Sequence, residues 1–442
     1  MHPLSSLLAL VGIASLIGAV PRPKIPEKSK PNKVLILGGG VAGIIAARTL
    51  HERGVDFEII EARDELGGRM KSHAFGGVVV EAGANWVQGT QAGSGPANPI
   101  FELAKKHGIM TQYNDFFGSI TTFDTSGQVD FLDVFNRSID DYAELTVTGD
   151  NHRAQAAEYY QVSEYAQKPD QTSWIASSWA NNFTFDPDQG GFSDTNLMSI
   201  DQHGFKALIQ SEAAEFIHPG QVSLDSIVKT VSYSPDGVNV TLSNGRSITG
   251  DYAICTFSLG VLQNVDVEFE PSLPEYKREA IQSMTMGTYT KIFFKFPKKF
   301  WFETELALYA DNERGRYPVW QSLDHPNFFP GSGILFVTVT GDYSQRIEAL
   351  SDAQVRQEAL GVLKLMYPDI EIPEPLDFWF PRWHSDPLYR GSYSNWPSSF
   401  FSEHHENLRA NVYRLFFAGE HTSQKYFGFL HGAYFSGLKL AE

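Results

Sequence analysis

"KVLILGGGVAGIIAARTLHERGVDFEIIEARDELGGRM", Lys33 to Met70, is the stretch on which the fold turns. Lys33 to Leu37 is a short apolar run of strand type, and Gly38-Gly39-Gly40-Val41-Ala42-Gly43 fits G-x-G-x-x-G. A helical pattern runs from about Val41 to Arg53 and Gly54 ends it. "VDFEIIE" then reads as a second strand with Glu61 at its end. Gly38 permits the tight turn, Gly40 lets a pyrophosphate approach the backbone, and Gly43 lets helix and strand pack closely. The helix N-terminus offers free N–H groups and the positive end of its dipole to phosphates, and Glu61 can accept from a ribose hydroxyl. The glycine pattern alone is weak, because such turns are common. Strand, glycines, helix, strand and acid in this order point to a dinucleotide site, against the blander reading of a βαβ unit with a tight turn.

Composition narrows what such a site serves. The chain has 442 residues, enough for two or more domains with their own cores. Its formal charge is -17, from 35 basic and 52 acidic side chains. That balance argues against a nucleic-acid partner, whose affinity rests on basic contacts, and favours a small cationic ligand or plain solubility. Cys255 is the only cysteine, so an intramolecular disulfide and a metal–thiolate cluster are excluded. No G-x-S-x-G elbow is present, and His405-Glu406 has no second histidine at zinc-helix spacing, so hydrolase readings lack support.

The N-terminus has an apolar run from about Leu7 to Val20, too short for a stable membrane span, with Gly18 and Ala19 at its end. Residues 1–19 read as a secretory signal peptide, although its first residues lack Lys and Arg; an uncleaved anchor is the other reading. Sequons at Asn136, Asn182 and Asn239 agree with a secreted, extracellular protein.

Directly after Glu61, Arg63 and Gly67-Gly68-Arg69 resemble the second glycine motif of FAD-binding oxidoreductases. There the backbone turns back across the pyrophosphate and an arginine neutralises charge. Near the other end, "FFAGE", Phe416 to Glu420, reads as a buried strand running into Gly419, and "GFLHGAYFSG" starts a helix. Together with "EAGANWVQG", "ANPIFELA", "CTFSLGVLQ", "YTKIFFKFP" and "RGSYSNWP", these segments cover about Lys33 to Ser436. In combination they resemble the flavin-containing amine oxidases, and within them the extracellular polyamine oxidases of plant type.

That resemblance implies an α/β fold with an FAD-binding, Rossmann-like domain of glutathione-reductase type. A mixed-sheet α+β substrate domain accompanies it. The FAD domain would be discontinuous, over residues 31–103, 198–273 and 393–442, with the substrate domain over 104–197 and 274–392. It implies FAD contacts from Gly38, Gly40, Ala42, Gly43, Glu61, Ala62, Arg63, Gly68, Arg69, Asn85, Trp86, Val228, Trp383, Gly419, Glu420, Phe429 and Leu430. The helix of "GFLHGAYFSG" would point its N-terminus at the flavin ring. Independently, "GQVSLDSIVKTVSYSPDGVNVTLSNGRSITGDYAICTF" alternates apolar and polar residues, with turns at Pro235-Asp236-Gly237 and Asn244-Gly245, as hairpins do.

The implied reaction takes a hydride from the carbon bearing nitrogen to flavin N5, with O2 as the acceptor, giving hydrogen peroxide and an aldehyde. Lys291 matches the family lysine that hydrogen-bonds through a water to N5 and assists oxygen activation, with Tyr289 on the same strand face. Tyr393 and Phe429 match the two rings that sandwich the amine, Phe429 standing where tyrosine is common. Gln88 is the main departure, because the plant enzymes carry an acid there to pair with a polyamine ammonium. Glu164 corresponds to a second acid of that tunnel. A glutamine at position 88 leaves polyamines in place and shifts weight to acetylated, shorter or less charged amines. The competing enzyme reading is another flavin oxidase on the same scaffold, and an amino-acid substrate would need a guanidinium such as Arg382 or Arg390 to grip its carboxylate. A monomer is expected. The chain stops eight residues after Tyr434, within an expected helix, so a truncated C-terminus or a divergent gene model is expected; a short helix that is real would weaken flavin retention.

Overall fold

The computed structural model describes residues 32–140, 152–162 and 166–441. The expected leader at 1–19 and Glu164 lie outside these residues. A five-stranded sheet carries the opening motif, in the spatial order Val222–Ser223, Asp56–Ile60, Lys33–Leu37, Tyr252–Cys255, Leu415–Phe417. Every pairing in it is parallel. Val34 to Leu37 are all buried, as expected of a strand covered on both faces and therefore apolar without alternation. The helix Val41–Glu52 follows, and Gly54 takes φ +68° just beyond it, a conformation that costs glycine little.

The second large sheet has seven strands, in the order Asp377–Trp379, Tyr289–Lys295, Ile334–Thr340, Val319–Ser322, Leu306–Ala310, Ile120–Asp124, Gly127–Gln128. It is mixed, since Leu306–Ala310 pairs in parallel with Ile120–Asp124 and its other pairings are antiparallel. The helices Gly341–Glu348 and Asp352–Met366 contribute Ile347, Val355, Ala359, Val362 and Leu363 to its core, beside Phe294, Tyr309 and Trp320. The fold is thus α/β, a Rossmann-like parallel sheet joined to a mixed-sheet α+β region.

The expected hairpins form: Val228–Tyr233, Val238–Leu242 and Ser247–Gly250 pair antiparallel through the two named turns. At the far end the structure departs in detail from the sequence reading. The strand is Leu415–Phe417, not Phe416 to Glu420, because Gly419 turns the chain at φ +140° and Glu420 begins a short 3₁₀ turn. The last helix runs Leu430–Ala441 and packs on Val41–Glu52, so closely that a Cβ on Gly437 would stand 2.2 Å from the Ala42 carbonyl oxygen.

Candidate active site

The two glycine motifs meet. A Cβ added to Gly38 would stand 2.6 Å from Thr256 Oγ1, and one on Gly43 would stand 2.0 Å from the Gly38 carbonyl oxygen. Gly38 therefore turns and Gly43 packs, as the motif requires. Gly40 differs, since a Cβ there would meet only Gly68 Cα, at 3.9 Å. Gly40 and Gly68 thus face each other across a space without side chains, at the N-terminus of a helix that no side chain caps. Glu61 Oε2 accepts from Gly39 N (2.7 Å) and Oε1 from Arg63 N (2.9 Å), and burial raises its pKa against these two bonds. Arg63 is ion-paired with Asp386 and stacked on Tyr389, 4.4 Å from the ring centre.

From this cradle one cavity of about 1140 Å³ runs to the seven-stranded sheet. Gly38, Gly40, Ala42, Glu61, Ala62, Arg63 and Val228 line its first part. Gly68, Arg69, Asn85, Trp86, Trp383, Gly419 and Glu420 follow, and Tyr289, Lys291, Tyr393, Phe429, Leu430 and Gln88 line the far end. Of the described residues expected to touch FAD or to act on the amine, only Gly43 is absent from these walls, packed behind the loop it supports.

Glu420 organises the middle. Its Oε1 accepts from Arg69 Nη1 (2.8 Å) and Ser394 N (3.3 Å), while Oε2 accepts from Gly428 N (2.9 Å) and Ser394 Oγ. Burial pushes this carboxyl up, but Arg69, His421 and these donors together hold its pKa below the ordinary value. The carboxylate thus ties the neighbours of Tyr393 and of Phe429 to each other. A Cβ on Gly428, the residue before Phe429, would lie 3.5 Å from the Tyr393 ring.

Lys291 sits on the strand Tyr289–Lys295 and is 1 % exposed. Its ammonium donates to Asn85 Oδ1 (2.7 Å), Gly83 O (2.8 Å) and Glu81 O (3.1 Å), and lies 4.7 Å above the Trp86 ring. Burial lowers its pKa to about 7 while Glu81 acts against that shift. A lysine on a strand is usually solvated; this one faces the cavity with three acceptors on a neighbouring segment.

Several wall residues carried no sequence signal. Phe116, Phe117 and Tyr160 line the end nearest Gln88, with Asp194 and Asn196. Gln88 and Asn196 are register partners in the strands Trp86–Gln88 and Asn196–Ser199, a pairing invisible before folding. Arg382 and Arg390 are not on the cavity wall. Arg382 bonds Asp352, and Arg390 grips Asp266 through two 2.7 Å bonds, so neither is placed to hold a substrate carboxylate.

The family model for flavin containing amine oxidoreductase matches residues 41–184 and 174–442. Polyamine oxidase 7 of Oryza sativa subsp. japonica is 34% identical over 98% of this chain and 97% of its own length. Polyamine oxidase 1 of Zea mays is 34% identical over 93% and 89%. A solved structure of wild-type putrescine oxidase bound to putrescine superposes with a TM-score of 0.73 at 18% identity, covering 93% of this chain and 98% of that one, a likeness of fold. The side-chain-free cradle, the uncapped helix end and the cavity leading from them to Lys291 fit an extended dinucleotide. The chain belongs to the flavin containing amine oxidoreductases, and its cofactor is FAD.

Proposed function

We propose that the protein oxidises an aliphatic polyamine, or an N-acetylated form of one, with oxygen as the final acceptor. The observation that carries this reading is the far end of the cavity, where buried Lys291 shares one chamber with Tyr393, Phe429 and Gln88. Two rings on one cavity wall accept a slender methylene chain and exclude water, and Tyr289 extends that wall, its ring centre 6.0 Å from that of Tyr393. Gln88 offers the far nitrogen an amide oxygen in place of a charge. Bound FAD supplies the two-electron acceptor for the carbon beside the nitrogen. The chain's own part is to hold the amine neutral and aligned in a dry site, with Gly40 and Gly68 admitting the diphosphate, Glu61 and Val228 at the adenosine end, and Arg69 and Glu420 between. The names of the rice and maize relatives support the polyamine class.

We further propose that the protein is secreted, on the N-terminal apolar run and the sequons. Asn136 is exposed on its helix, whereas Asn182 is half-buried beside fully buried Thr184, which makes Asn136 the better glycan acceptor of the two. Among the described residues, no helix is long and apolar enough to cross a membrane.

The test is an anaerobic titration of the yellow protein with spermine and N1-acetylspermine, following the visible flavin band. Bleaching by either establishes the reading. A flavoprotein that neither amine bleaches refutes the polyamine class.

A further inference from the structure

His431 is the second residue of the last helix, 1 % exposed, and is not on the cavity wall. Its ring lies flat against Phe429, with centroids 4.9 Å apart and planes 18° apart, on the side away from the cavity. Tyr426 and Phe192 close its edges at 4.8 and 5.5 Å. Both ring nitrogens reach other elements. Nδ1 lies 3.4 Å from Asn98 Nδ2, an atom that only donates, so Nδ1 accepts and Nε2 carries the hydrogen. Nε2 lies 3.1 Å from Thr184 Oγ1 on the helix Trp174–Phe185, whose Ala180, Asn181 and Phe185 line the cavity. The same Asn98 Nδ2 donates to the Gln88 carbonyl at 2.8 Å, and Asn98 Oδ1 caps the helix Pro99–Lys106. Burial lowers the His431 pKa to about 3, so Nδ1 stays an acceptor throughout the working range.

We propose that His431 is a positioning residue for the amine: it backs Phe429 and ties that ring to Gln88 through Asn98 and to the helix Trp174–Phe185 through Thr184. Three walls of the amine end thereby share one joint. An ordinary core histidine would fill space; this one fixes the gap between the aromatic cage and the amide opposite, which sets where a chain of given length can lie. The kinetic part of this proposal rests on the amine-oxidase reading above, and its structural part does not.

The test uses holoenzyme of wild type, His431→Leu and Thr184→Val. The leucine keeps bulk and removes both nitrogens; the valine removes the partner of Nε2 and also the Asn182 sequon, so all three proteins are produced without glycans. With a native flavin spectrum, His431→Leu is expected to raise KM for the amine about 10-fold with kcat changed less than about 3-fold, and Thr184→Val to raise KM about 3-fold; a 10-fold change is about 1.4 kcal/mol. Amide hydrogen exchange is expected to quicken in three separated segments, 84–98, 176–185 and 426–434. An unchanged KM, or exchange that quickens only in 426–434, overturns the proposal. Should His431→Leu lose its flavin, Thr184→Val decides by the same two readouts, with quickening expected in both 176–185 and 426–434. If wild type oxidises no amine, the functional reading fails, and the exchange pattern alone still supports or overturns the joint.

Discussion

Lys291 Nζ donates to Asn85 Oδ1 at 2.7 Å, a bond between residues 206 positions apart that joins the seven-stranded sheet to the segment following Glu81. With the Gly83 and Glu81 carbonyls, the ammonium has three oxygens around it. Lys291→Met leaves those acceptors buried and unpaired, at about 1–3 kcal/mol each before relaxation. The variant is expected to bind FAD, to be bleached by amine within about 3-fold of the wild-type rate, and to react with oxygen about 100-fold more slowly, the scale of losing one placed donor. Stopped-flow measurement of the two half-reactions separately checks this. Equal slowing of both would deny Lys291 a specific part in the oxygen step.

The glycines of the first loop separate binding from folding. Gly40→Ala puts a methyl where only Gly68 Cα is near, at φ -80°, which alanine adopts freely. It should fold with wild-type circular dichroism yet emerge colourless, because the methyl occupies the diphosphate's approach. Gly43→Ala drives a methyl to 2.0 Å from the Gly38 carbonyl oxygen and should yield little soluble protein. A yellow, saturable Gly40→Ala protein would remove Gly40 from the cofactor site.

Gln88→Glu tests the amine end. A carboxylate at this position pairs with a distal ammonium and gains nothing from an acetyl group. The ratio of kcat/KM for spermine over N1-acetylspermine is expected to rise by about 10-fold, or about 1.4 kcal/mol. The rise should shrink in high salt to the extent that the pair is solvated. An unchanged ratio would place the distal nitrogen elsewhere.

Lys277 gives a pH signature away from the cavity. It is fully buried, donates to the Leu408 carbonyl at 2.6 Å and to that of Ala410, and stands 3.9 Å from the Phe417 ring centre. Burial depresses its pKa to about 7. Between pH 7 and about 10.4 the unfolded chain therefore holds a proton that the native state has released, so native stability rises with pH across this window. Relative to Lys277→Met, wild type should gain on the order of 1 kcal/mol per pH unit there. Denaturant midpoints at pH 7 and 9 measure it. A flat difference between the two proteins would show an ordinary lysine pKa.

What the sequence disclosed was what local spacing controls. Lys33 to Gly54 is a strand, a turn and a helix whose glycines each have a short-range reason, and the structure reproduces them to within a residue. The hairpins of Val228–Gly250 were equally legible, because alternation and turn residues are local. The flavin end was legible only through a whole-chain resemblance; a lysine, two rings and a glutamine have no spacing rule of their own. Asn98 and His431 meet across 333 positions, and Gln88 meets Asn196 only through strand register, so neither contact leaves a mark in the string. The guanidiniums of Arg382 and Arg390 looked available until their aspartates, well removed in sequence, were seen beside them.

The parallel sheet takes Lys33–Leu37 from near one end of the chain and Leu415–Phe417 from near the other, and the Arg69–Glu420 ion pair spans 351 positions. On a ribosome, the first strands and the glycine loop emerge long before the strand and the carboxylate that complete their site. For that interval the unit has an open apolar strand edge beside Tyr252–Cys255 and no closed pocket. Long-range parallel pairing of this kind is slow to form. A closed flavin site thus has to wait for Leu415–Phe417 and Glu420 to emerge.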